Sequence, residues 1–455
     1  MSNPNPLKTG DDTRLRPLLR PFQEFAARET SGGILLLLCA AIALIWMNSP
    51  WSASYASLWH TKLAVSFAGQ SMDRDLHFWV NDGLMALFFL VVGLEIKREL
   101  LVGELASPRQ AALPIVGALG GVLVPALLYT AFNFGGPGAH GWGIPMATDI
   151  AFVIGIMALL GDRVPLGLKV FLTALAIVDD IAAVLVIAVF YTANIAWVGI
   201  AVAAGVVVLL VVANRIGVRH PFPYALLGLA LWLAVMHSGV HATIAGVILA
   251  LTIPSRTQLN VPAFLHQIRT IVKHLDQCAD REKSPLNDEE QQVAIDALED
   301  ACEKAKPPLF RFNEALHPWV TFLIMPAFAL ANAGVVFSGD LASRAADPVT
   351  LGVAIGLLLG KPIGIMLLSW LSVKAGWASL PDGVNWRGVH GAAWLAGIGF
   401  TMSLLIGALA FADAELLARA KLGILASSLA AGLVGSALLL RSAGPVKGLR
   451  PLPEH

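Results

Sequence analysis

The sequence predicts an all-α integral membrane protein with about twelve transmembrane helices. Of its 455 residues, 56% are apolar and only 14% are charged, and the mean hydropathy is +0.71. Soluble domains usually contain about 45–50% apolar and about 25% charged residues, so this composition indicates a chain that lies largely in a bilayer. Roughly ten to twelve apolar segments are long enough, or nearly so, to cross a hydrocarbon core of about 30 Å.

The predicted spans are separated by short loops, apart from two longer insertions. They cover residues 31–47, 77–101, 111–132, 141–161, 166–191, 196–213, 223–236, 239–253, 317–337, 350–372, 390–411 and 420–440. The seventh and eighth spans are short, so we expect one or both to be tilted or to cross only half of the membrane. The chain then divides into an N-terminal segment (1–30), a first membrane part (31–254), a charged insertion (255–311), a second membrane part (312–442) and a tail (443–455).

The distribution of lysine and arginine predicts the orientation. Of the 31 lysines and arginines, 25 are assigned to the inner loops and the two tails. The exceptions are Lys361, which lies inside a span, and the outer residues Lys62, Arg74, Arg344, Arg419 and Lys421. Because cytoplasmic loops are enriched in these residues, both termini are predicted to be cytoplasmic. The basic start of the chain shows no clear cleavage site, so no removed signal peptide is expected.

Composition also argues against several kinds of partner. The formal net charge is zero, which is unlike a nucleic-acid-binding protein. The three cysteines, Cys39, Cys278 and Cys302, lack the spacing of a metal site and are most simply free thiols. We expect no cofactor.

Two insertions interrupt the spans. The outer one, residues 60–77, alternates in a way that favours a β-hairpin with an edge suited to dimerisation, and an irregular loop is the alternative. The inner one, residues 255–311, has apolar residues at helical spacing between Phe264 and Leu275, followed by a capping box at Asn287. It predicts an amphipathic helical hairpin on the membrane or on the rest of the protein, with either a regulatory or a passive role.

Two adjacent carboxylates mark the candidate functional site. Asp179 and Asp180 are the only charged residues in the apolar stretch Phe171–Phe190. Each carboxylate at this depth costs about 2.5–3.5 kcal/mol on insertion scales. A chain retains such carboxylates where it moves something through the membrane. Neighbouring residues on a helix point about 100° apart. One carboxylate could therefore face a cationic partner while the other faces a transported ion.

The fourth span has a proline, a threonine and a carboxylate within Ile144–Ile150. Pro145 removes a helical hydrogen bond, and the freed backbone needs another partner in the membrane. Thr148 and Asp149 therefore suit either a cation site in an unwound segment or the cap of a half-helix. An ordinary helix that begins at Thr148, with Asp149 as a first-turn anion, is the alternative.

The eleventh span has a comparable weak point at Gly397 and Gly399, which precede Thr401 and Ser403. Each glycine lowers helix stability by about 1 kcal/mol relative to alanine. An unwound segment that pairs with the one near Asp149 and close helix packing through small residues are both compatible with this pattern.

Lys361 lies in the middle of the tenth span, with apolar residues on both sides. A lysine at that depth needs a counter-ion or must lose its charge. The available carboxylates are Asp149, Asp179 and Asp180, and snorkelling to an interface is the alternative.

Other titratable residues lie nearer the ends of spans. Asp82 is near the outer face of the second span, and Glu95 near its inner end could gate, sense pH or form an interfacial ion pair. His241 could titrate near neutral pH or could pack as a hydrogen-bonded neutral ring.

Taken together, these motifs resemble the NhaA-type bacterial sodium/proton antiporters. The motifs are Ala147–Phe152, Leu175–Asp180, Gly360–Pro362 and Gly397–Ser403, supported by Asn81–Met85, Gly93–Glu99 and Phe328–Gly334. The similarity runs from about residue 20 to 442, apart from the inner insertion.

The resemblance implies an electrogenic, pH-regulated exchange of cytoplasmic Na⁺, and also Li⁺, for external protons. It implies a homodimer in the bacterial inner membrane, surrounded by lipid and associated through residues 60–77. The third to fifth spans would be the inverted counterpart of the tenth to twelfth, and the discontinuous fourth and eleventh spans would cross at mid-membrane.

The resemblance also implies roles for individual residues. Asp179 and Asp180, beside Thr148, would carry the ion, Asp149 would compensate helix dipoles, and Lys361 would be the membrane lysine. The pH response would involve Glu95, and we include Asp82 and His241 as candidates. The inner insertion is longer than expected for the family, so whether Glu314 fills the acidic role expected near the ninth span is left open.

Two other functions are rivals to exchange. A sodium-coupled solute symporter of related fold would need a roomier polar cavity at the broken helices. An intramembrane aspartyl protease would need a Gly-x-Gly-Asp sequence, which is absent, and a nearby lysine would disturb the shared proton of its aspartates. The sequence therefore predicts a transporter and not an enzyme.

Overall fold

The computed structural model describes residues 16–67, 70–192, 195–255, 261–279, 289–337, 341–381 and 383–442. Within these ranges the chain is mostly α-helical and contains one two-stranded sheet. The predicted tail at 443–455, the start of the N-terminal segment and the cap at Asn287 lie outside the described residues.

The helices are numbered in chain order. They are α1 (Arg16–Met47), α2 (Ser52–Trp59), α3 (Leu76–Phe78), α4 (Met85–Val102), α5 (Pro108–Asn133), α6 (Ile150–Leu160), α7 (Leu166–Phe190), α8 (Trp197–Arg215), α9 (Pro221–Met236), α10 (Ile244–Thr252), α11 (Val261–Ala279), α12 (Glu289–Ala305), α13 (Pro308–Trp319), α14 (Met325–Asn332), α15 (Leu341–Ala345), α16 (Pro348–Ile355), α17 (Lys361–Lys374), α18 (Trp386–Ala396), α19 (Phe400–Ala410) and α20 (Ala414–Ser442). Short 3₁₀ helices cover Glu104–Ala106, Ala139–Met146 and Gly161–Arg163. Three π-helical turns, Trp79–Leu84, Val320–Ile324 and Gly356–Gly360, each join two consecutive α-helices.

Seven helices in the described part of the chain are long and apolar enough to cross a membrane, or up to nine if each of two bent pairs forms one span. One bent pair is α1 from Ser31 with α2, at 118°, and the other is α18 with α19, at 43°. The prediction of an all-α membrane protein is confirmed at this level. The number twelve stays a prediction.

The outer insertion forms the predicted β-hairpin. Strands β1 (Lys62–Phe67) and β2 (Gln70–Asp75) pair antiparallel, with Lys62 opposite Asp75. Asp75 ends β2 and also caps α3, because its Oδ1 accepts a hydrogen bond from Phe78 N at 2.9 Å. The two residues of the turn, 68–69, lie outside the described part.

By packing, the described residues form two compact units, and the longer one carries most of the apolar helices. It comprises the described residues within Met1–Met85, Glu99–Ala193 and Val320–His455. Within it α5 and α17 approach so closely that an added Cβ on Gly120 would meet the carbonyl oxygen of Gly364. Only small residues permit such backbone contact between membrane helices.

The second unit comprises Ala86–Arg98 and the described residues within Asn194–Trp319, so the middle of α4 belongs to it. Its α8, α9 and α10 pack together, and Lys97 Nζ donates hydrogen bonds to the carbonyls of Leu251, at 2.7 Å, and of Ile253, at the C-terminal end of α10. A lysine at a helix C-terminus satisfies orphan carbonyls and the negative end of the dipole. The inner insertion contributes α11 and α12, which pack against each other within this unit.

Candidate functional site

The two central carboxylates lie side by side on α7. This helix follows Pro165, and apart from the two aspartates its inner turns are almost entirely apolar and free of proline and glycine, so nothing local interrupts it before Tyr191. Asp179 is completely buried and Asp180 is 2% exposed. Because they are neighbours on a helix, their carboxylates leave the axis in different directions.

Asp179 has a defined set of partners. Its Oδ2 lies 2.8 Å from Lys361 Nζ and accepts a hydrogen bond from Thr148 Oγ1 at 2.7 Å. Its other oxygen, Oδ1, is buried and has no hydrogen-bond partner among the described residues. A buried carboxylate normally uses both oxygens, so Oδ1 is an acceptor position that a proton or a small cation can fill.

Lys361 begins α17 directly after the π-helical turn Gly356–Gly360 and is completely buried. Its ammonium pairs with Asp179 and donates a hydrogen bond to the carbonyl of Met146. The direct partners of the charge are therefore one carboxylate and one carbonyl. Removing either member of such a buried pair leaves an uncompensated charge.

The first interruption of the membrane helices lies next to this ion pair. The 3₁₀ helix Ala139–Met146, which contains Pro145, ends there, the backbone is extended at Ala147, and α6 begins after Asp149. Asp149 is the N-cap of α6, since its Oδ1 accepts a hydrogen bond from Phe152 N at 3.3 Å. Capping of a half-helix, one of the roles considered from the sequence, is thus present.

The second interruption separates α18 from α19. Helix α18 ends at Ala396, Gly397-Ile398-Gly399 breaks the chain, and α19 begins at Phe400. The unwound segment considered for this span is therefore present. Gly399 also lies so close to Ala147 that a Cβ there would be 3.0 Å from its carbonyl oxygen.

The two interruptions are joined through backbone groups that their breaks leave free. Asp149 N donates to Ile398 O at 2.7 Å, and Asp149 Oδ2 accepts from Thr401 N at 2.9 Å and from Thr401 Oγ1 at 2.5 Å. In the other direction, Ser403 Oγ donates to Ile144 O at 2.8 Å. Each break thus supplies the partners that the other needs in a medium without water.

Thr148 connects this junction to the carboxylates. Its hydroxyl lies 2.7 Å from Asp179 Oδ2 and 2.9 Å from Ala396 O, the last carbonyl of α18. A hydroxyl has only one proton, so it cannot donate fully to both acceptors. Chemically, the site combines two buried carboxylates, a fixed cation and a donor with two acceptors, which can hold a proton or a small cation.

The other predicted residues are not part of this cluster of contacts. Asp82 lies in the π-helical turn Trp79–Leu84 of the first unit. The remaining three belong to the second unit: Glu95 in α4, His241, whose Nδ1 is 2.8 Å from Thr243 Oγ1, and Glu314, which forms an exposed ion pair with Lys306 at 2.7 Å.

Sequence reasoning missed one buried polar pair. Asn332 Nδ2 donates to Asn81 Oδ1 at 2.8 Å, and both side chains are buried. Both asparagines lie in apolar stretches, where an amide needs an internal partner. That signal was available, but nothing in the sequence relates residues so far apart in the chain.

Comparisons with known proteins agree with these features. A family model described as Na⁺/H⁺ antiporter 1 matches residues 23–439. The Na(+)/H(+) antiporter NhaA of Oleidesulfovibrio alaskensis is 51% identical over 433 residues, covering 94% of this chain and 96% of that protein. The Na(+)/H(+) antiporter NhaA of Koribacter versatilis is 49% identical over 424 residues, covering 93% and 92%. The sodium proton antiporter MjNhaP1 from Methanocaldococcus jannaschii, solved at pH 8, matches with a TM-score of 0.47 and 12% identity over 94% of this chain and 98% of that one.

Proposed function

Since the chain belongs to the Na⁺/H⁺ antiporter 1 family and exchanges sodium ions for protons across a membrane, we propose that both ions use one site at Asp179 and Asp180. The observation that carries this proposal is the buried cluster of Asp179, Lys361 and Thr148 next to Asp180. The same cluster sits where two interrupted helices meet, so its geometry depends on how these helices are placed.

Competition between the two ions provides the coupling. A carboxylate that carries a proton has no negative charge with which to hold sodium, and sodium beside an ionised carboxylate excludes the proton. In our proposal cytoplasmic Na⁺ displaces protons from Asp180, helped by Asp179, and leaves to the outside. External protons then reload the carboxylates, and the return of the protonated site completes the cycle.

Lys361 has a positioning role in this proposal. It pairs with Asp179 while that carboxylate is ionised, as in the arrangement with the 2.8 Å contact. A proton on Asp179 removes the attraction, and the ammonium then keeps the carbonyl of Met146 as a hydrogen-bond partner. The ion pair therefore differs between the sodium-loaded and the proton-loaded states, which is the kind of two-state contact that transport requires.

Asp149 and Thr148 complete the site. Asp149 accepts hydrogen bonds from the backbone at the start of both α6 and α19. Its negative charge would offset the positive ends of these two half-helices, which point toward the junction. Thr148 would place its hydroxyl at the sodium position next to Asp179.

The finer architecture is also part of the proposal. Twelve spans would arise if the helices joined by π-helical turns and the short helices α9 and α10 each cross the membrane, with the third to fifth spans inverted relative to the tenth to twelfth. Both termini would be cytoplasmic in a bacterial inner membrane, in keeping with the lysine and arginine distribution. The β-hairpin would join two copies, because its strands leave an edge for pairing.

Transport would be electrogenic, would accept Li⁺ and would respond to pH. Two neighbouring carboxylates allow more than one proton to be exchanged per sodium ion, which moves net charge. Glu95, Asp82, His241 and Glu314 are the proposed groups of the pH response.

The test uses proteoliposomes with an acidic interior and a pH-sensitive dye. Addition of Na⁺ or Li⁺ should make the interior alkaline and release the dye from quenching. We expect the response to disappear in Asp180→Asn and to persist in Asp73→Asn, which makes the same chemical change on the outer hairpin. The initial rate should change when a membrane potential is imposed with potassium and valinomycin.

Two outcomes would contradict the proposal at different levels. Normal exchange by Asp180→Asn would show that the ion site lies elsewhere. Absence of a response in the unmodified protein at neutral and alkaline pH would favour a sodium-coupled symporter of related fold.

A further inference from the structure

An apolar groove lies between α17 and α18 in the first unit. It has a volume of about 620 Å³, within the range of roughly 300–1,000 Å³ typical of ligand sites. Its lining is mostly aliphatic and aromatic and includes Leu359, Ile363, Leu367, Trp370, Trp386 and Trp394. None of these residues takes part in the ion site.

The groove is open to the surroundings of the protein. Ile363, Leu367 and Trp370 follow one stripe of α17 and are 52%, 46% and 44% exposed. In a membrane protein such a stripe faces lipid tails. Tryptophan is typical of the level where tails meet headgroups, because one end of its ring system is apolar and the indole N–H is polar.

Basic side chains stand at one end of the groove. Lys374 Nζ lies 4.7 Å from the centre of the Trp370 ring, a cation–π contact that holds the ammonium at the end of α17. Arg387, at the start of α18, is exposed and lies on the same stripe as His390 and Trp394, three and seven residues further on. Among the described residues, no carboxylate lies within ion-pair distance of either basic residue.

A further hydrogen-bond donor lies beside these charges. Trp394 Nε1 donates a hydrogen bond to His390 Nε2 at 3.2 Å. Because Nε2 accepts this bond, the ring proton is placed on Nδ1, which is then available to an oxygen acceptor. The groove thus combines an apolar lining with two cations and a hydrogen-bond donor at one end.

We propose that this groove is a binding site for an anionic phospholipid of the cytoplasmic leaflet. An acyl chain would lie along α17, and the phosphate would lie between Lys374 and Arg387. The assignment to the cytoplasmic leaflet rests on the orientation given under the proposed function. Basic residues near that surface attract anionic lipids.

The bound lipid would also brace the ion site. Leu358, Leu359 and Pro362 line the groove, and they flank Lys361 on the π-helical turn and the first turn of α17. An acyl chain packed there would support the segment that places the ammonium against Asp179. Occupancy of the groove would therefore influence exchange without any contact between lipid and transported ion.

A second copy of the chain fits the groove less well. Most homodimers use the same patch on both subunits. Such a contact would bring Lys374 and Arg387 of both copies together, and like charges would repel at an apolar interface. An anionic headgroup, in contrast, neutralises them.

Native mass spectrometry of the purified full-length protein tests the proposal directly. Phosphatidylglycerol and phosphatidylcholine with identical acyl chains would be titrated into delipidated protein. We expect phosphatidylglycerol to bind on the order of thirtyfold more tightly, from two basic residues. The double variant Lys374→Gln with Arg387→Gln should lose this preference. Arg163→Gln should keep it, because Arg163 precedes α7, which packs on the opposite side of α18 through Leu168 and Gly388.

A groove-filling variant provides an independent measurement. Ile363→Trp leaves the charges in place, and the exposed position tolerates the larger ring. Because the ring would occupy part of the groove, binding of both lipids should weaken. Unchanged phosphatidylglycerol affinity in both the double variant and Ile363→Trp would overturn the proposal. Conversion of a dimer into monomers by Ile363→Trp would overturn it too, in favour of a second copy. Asp180→Asn should bind phosphatidylglycerol normally. Failure of the assignment of the ion site can therefore be distinguished from failure of the lipid proposal.

Discussion

Replacement of Thr148 by valine removes a single hydroxyl from the proposed ion site. The Thr148 side chain is completely buried, and its hydroxyl lies 2.7 Å from Asp179 Oδ2 and 2.9 Å from Ala396 O. Valine has the same branched shape, so it leaves no cavity of a size that would disturb the packing. The substitution therefore isolates the contribution of the hydrogen bonds.

The expected magnitude follows from the geometry. A hydrogen bond to a charged group contributes about 1.5–3 kcal/mol. The Thr148 proton is shared between two acceptors, of which the carboxylate is the closer, so we take the lower value of about 1.5 kcal/mol. That free energy corresponds to about a tenfold change in an equilibrium constant.

The direction of the effect follows from the state that the hydroxyl stabilises. A donor to a carboxylate favours its ionised form, which is the form that can hold sodium. We therefore expect Thr148→Val to raise the Na⁺ concentration for half-maximal exchange about tenfold at fixed pH. A more alkaline medium should partly restore exchange, because it removes the competing protons. The measurement is the Na⁺ dependence of dye dequenching in proteoliposomes.

Two matched variants serve as controls. Thr148→Ser keeps the hydroxyl and should stay close to the unmodified protein. Thr401→Val removes a hydroxyl from Asp149 and not from Asp179, so it should lower stability while changing the Na⁺ requirement little. An unchanged Na⁺ requirement in folded Thr148→Val would refute the reasoning.

Three further predictions concern stability. Lys361→Met should lower the free energy of unfolding by about 3–5 kcal/mol by leaving a buried carboxylate uncompensated, and Asp179→Asn in the same chain should recover much of it; thermal unfolding followed by tryptophan fluorescence measures both. Gly120→Ala should reduce the yield of folded protein in size-exclusion chromatography, because its Cβ would meet a backbone carbonyl of α17, whereas Gly205→Ala, with open space around it, should not. Burial raises the pKa of Tyr55 in α2 to about 12, above its unfolded value of about 10. The neutral hydroxyl therefore stabilises the fold below about pH 10, and stability should fall between pH 10 and 12 more steeply in the unmodified protein than in Tyr55→Phe.

The sequence is most informative where a charged or helix-breaking residue stands in an apolar stretch. Lys361 required a counter-ion from three candidates, and the structure pairs it with Asp179. Pro145 and the glycines of the eleventh span indicated weak points, and both helices are interrupted there. These predictions succeed because an unsatisfied charge or backbone group in a membrane is costly enough to leave few solutions.

Partners that are distant in the chain could not be predicted from the residues alone. Thr401 lies 252 positions from Asp149, and the acceptor of Ser403 is a backbone carbonyl without any sequence signature. The location of the π-helical turns was equally hidden, because Gly356–Gly360 has a composition that an ordinary small-residue helix could have. Local pattern identifies which groups need partners, whereas the fold decides which partners they obtain.

The π-helical turn before Lys361 also makes chain length a determinant of the site. A π-helical turn accommodates one residue more than an α-helical turn of the same rise. Deletion of one residue from Gly356–Gly360 would let the segment wind as a regular α-helix of about the same rotation and rise, so Lys361 would keep its direction. Insertion of a further residue would rotate Lys361 by about 100° relative to α16, away from Asp179, although every side chain of the site would still be present. Deletions in this segment should therefore be tolerated better than insertions.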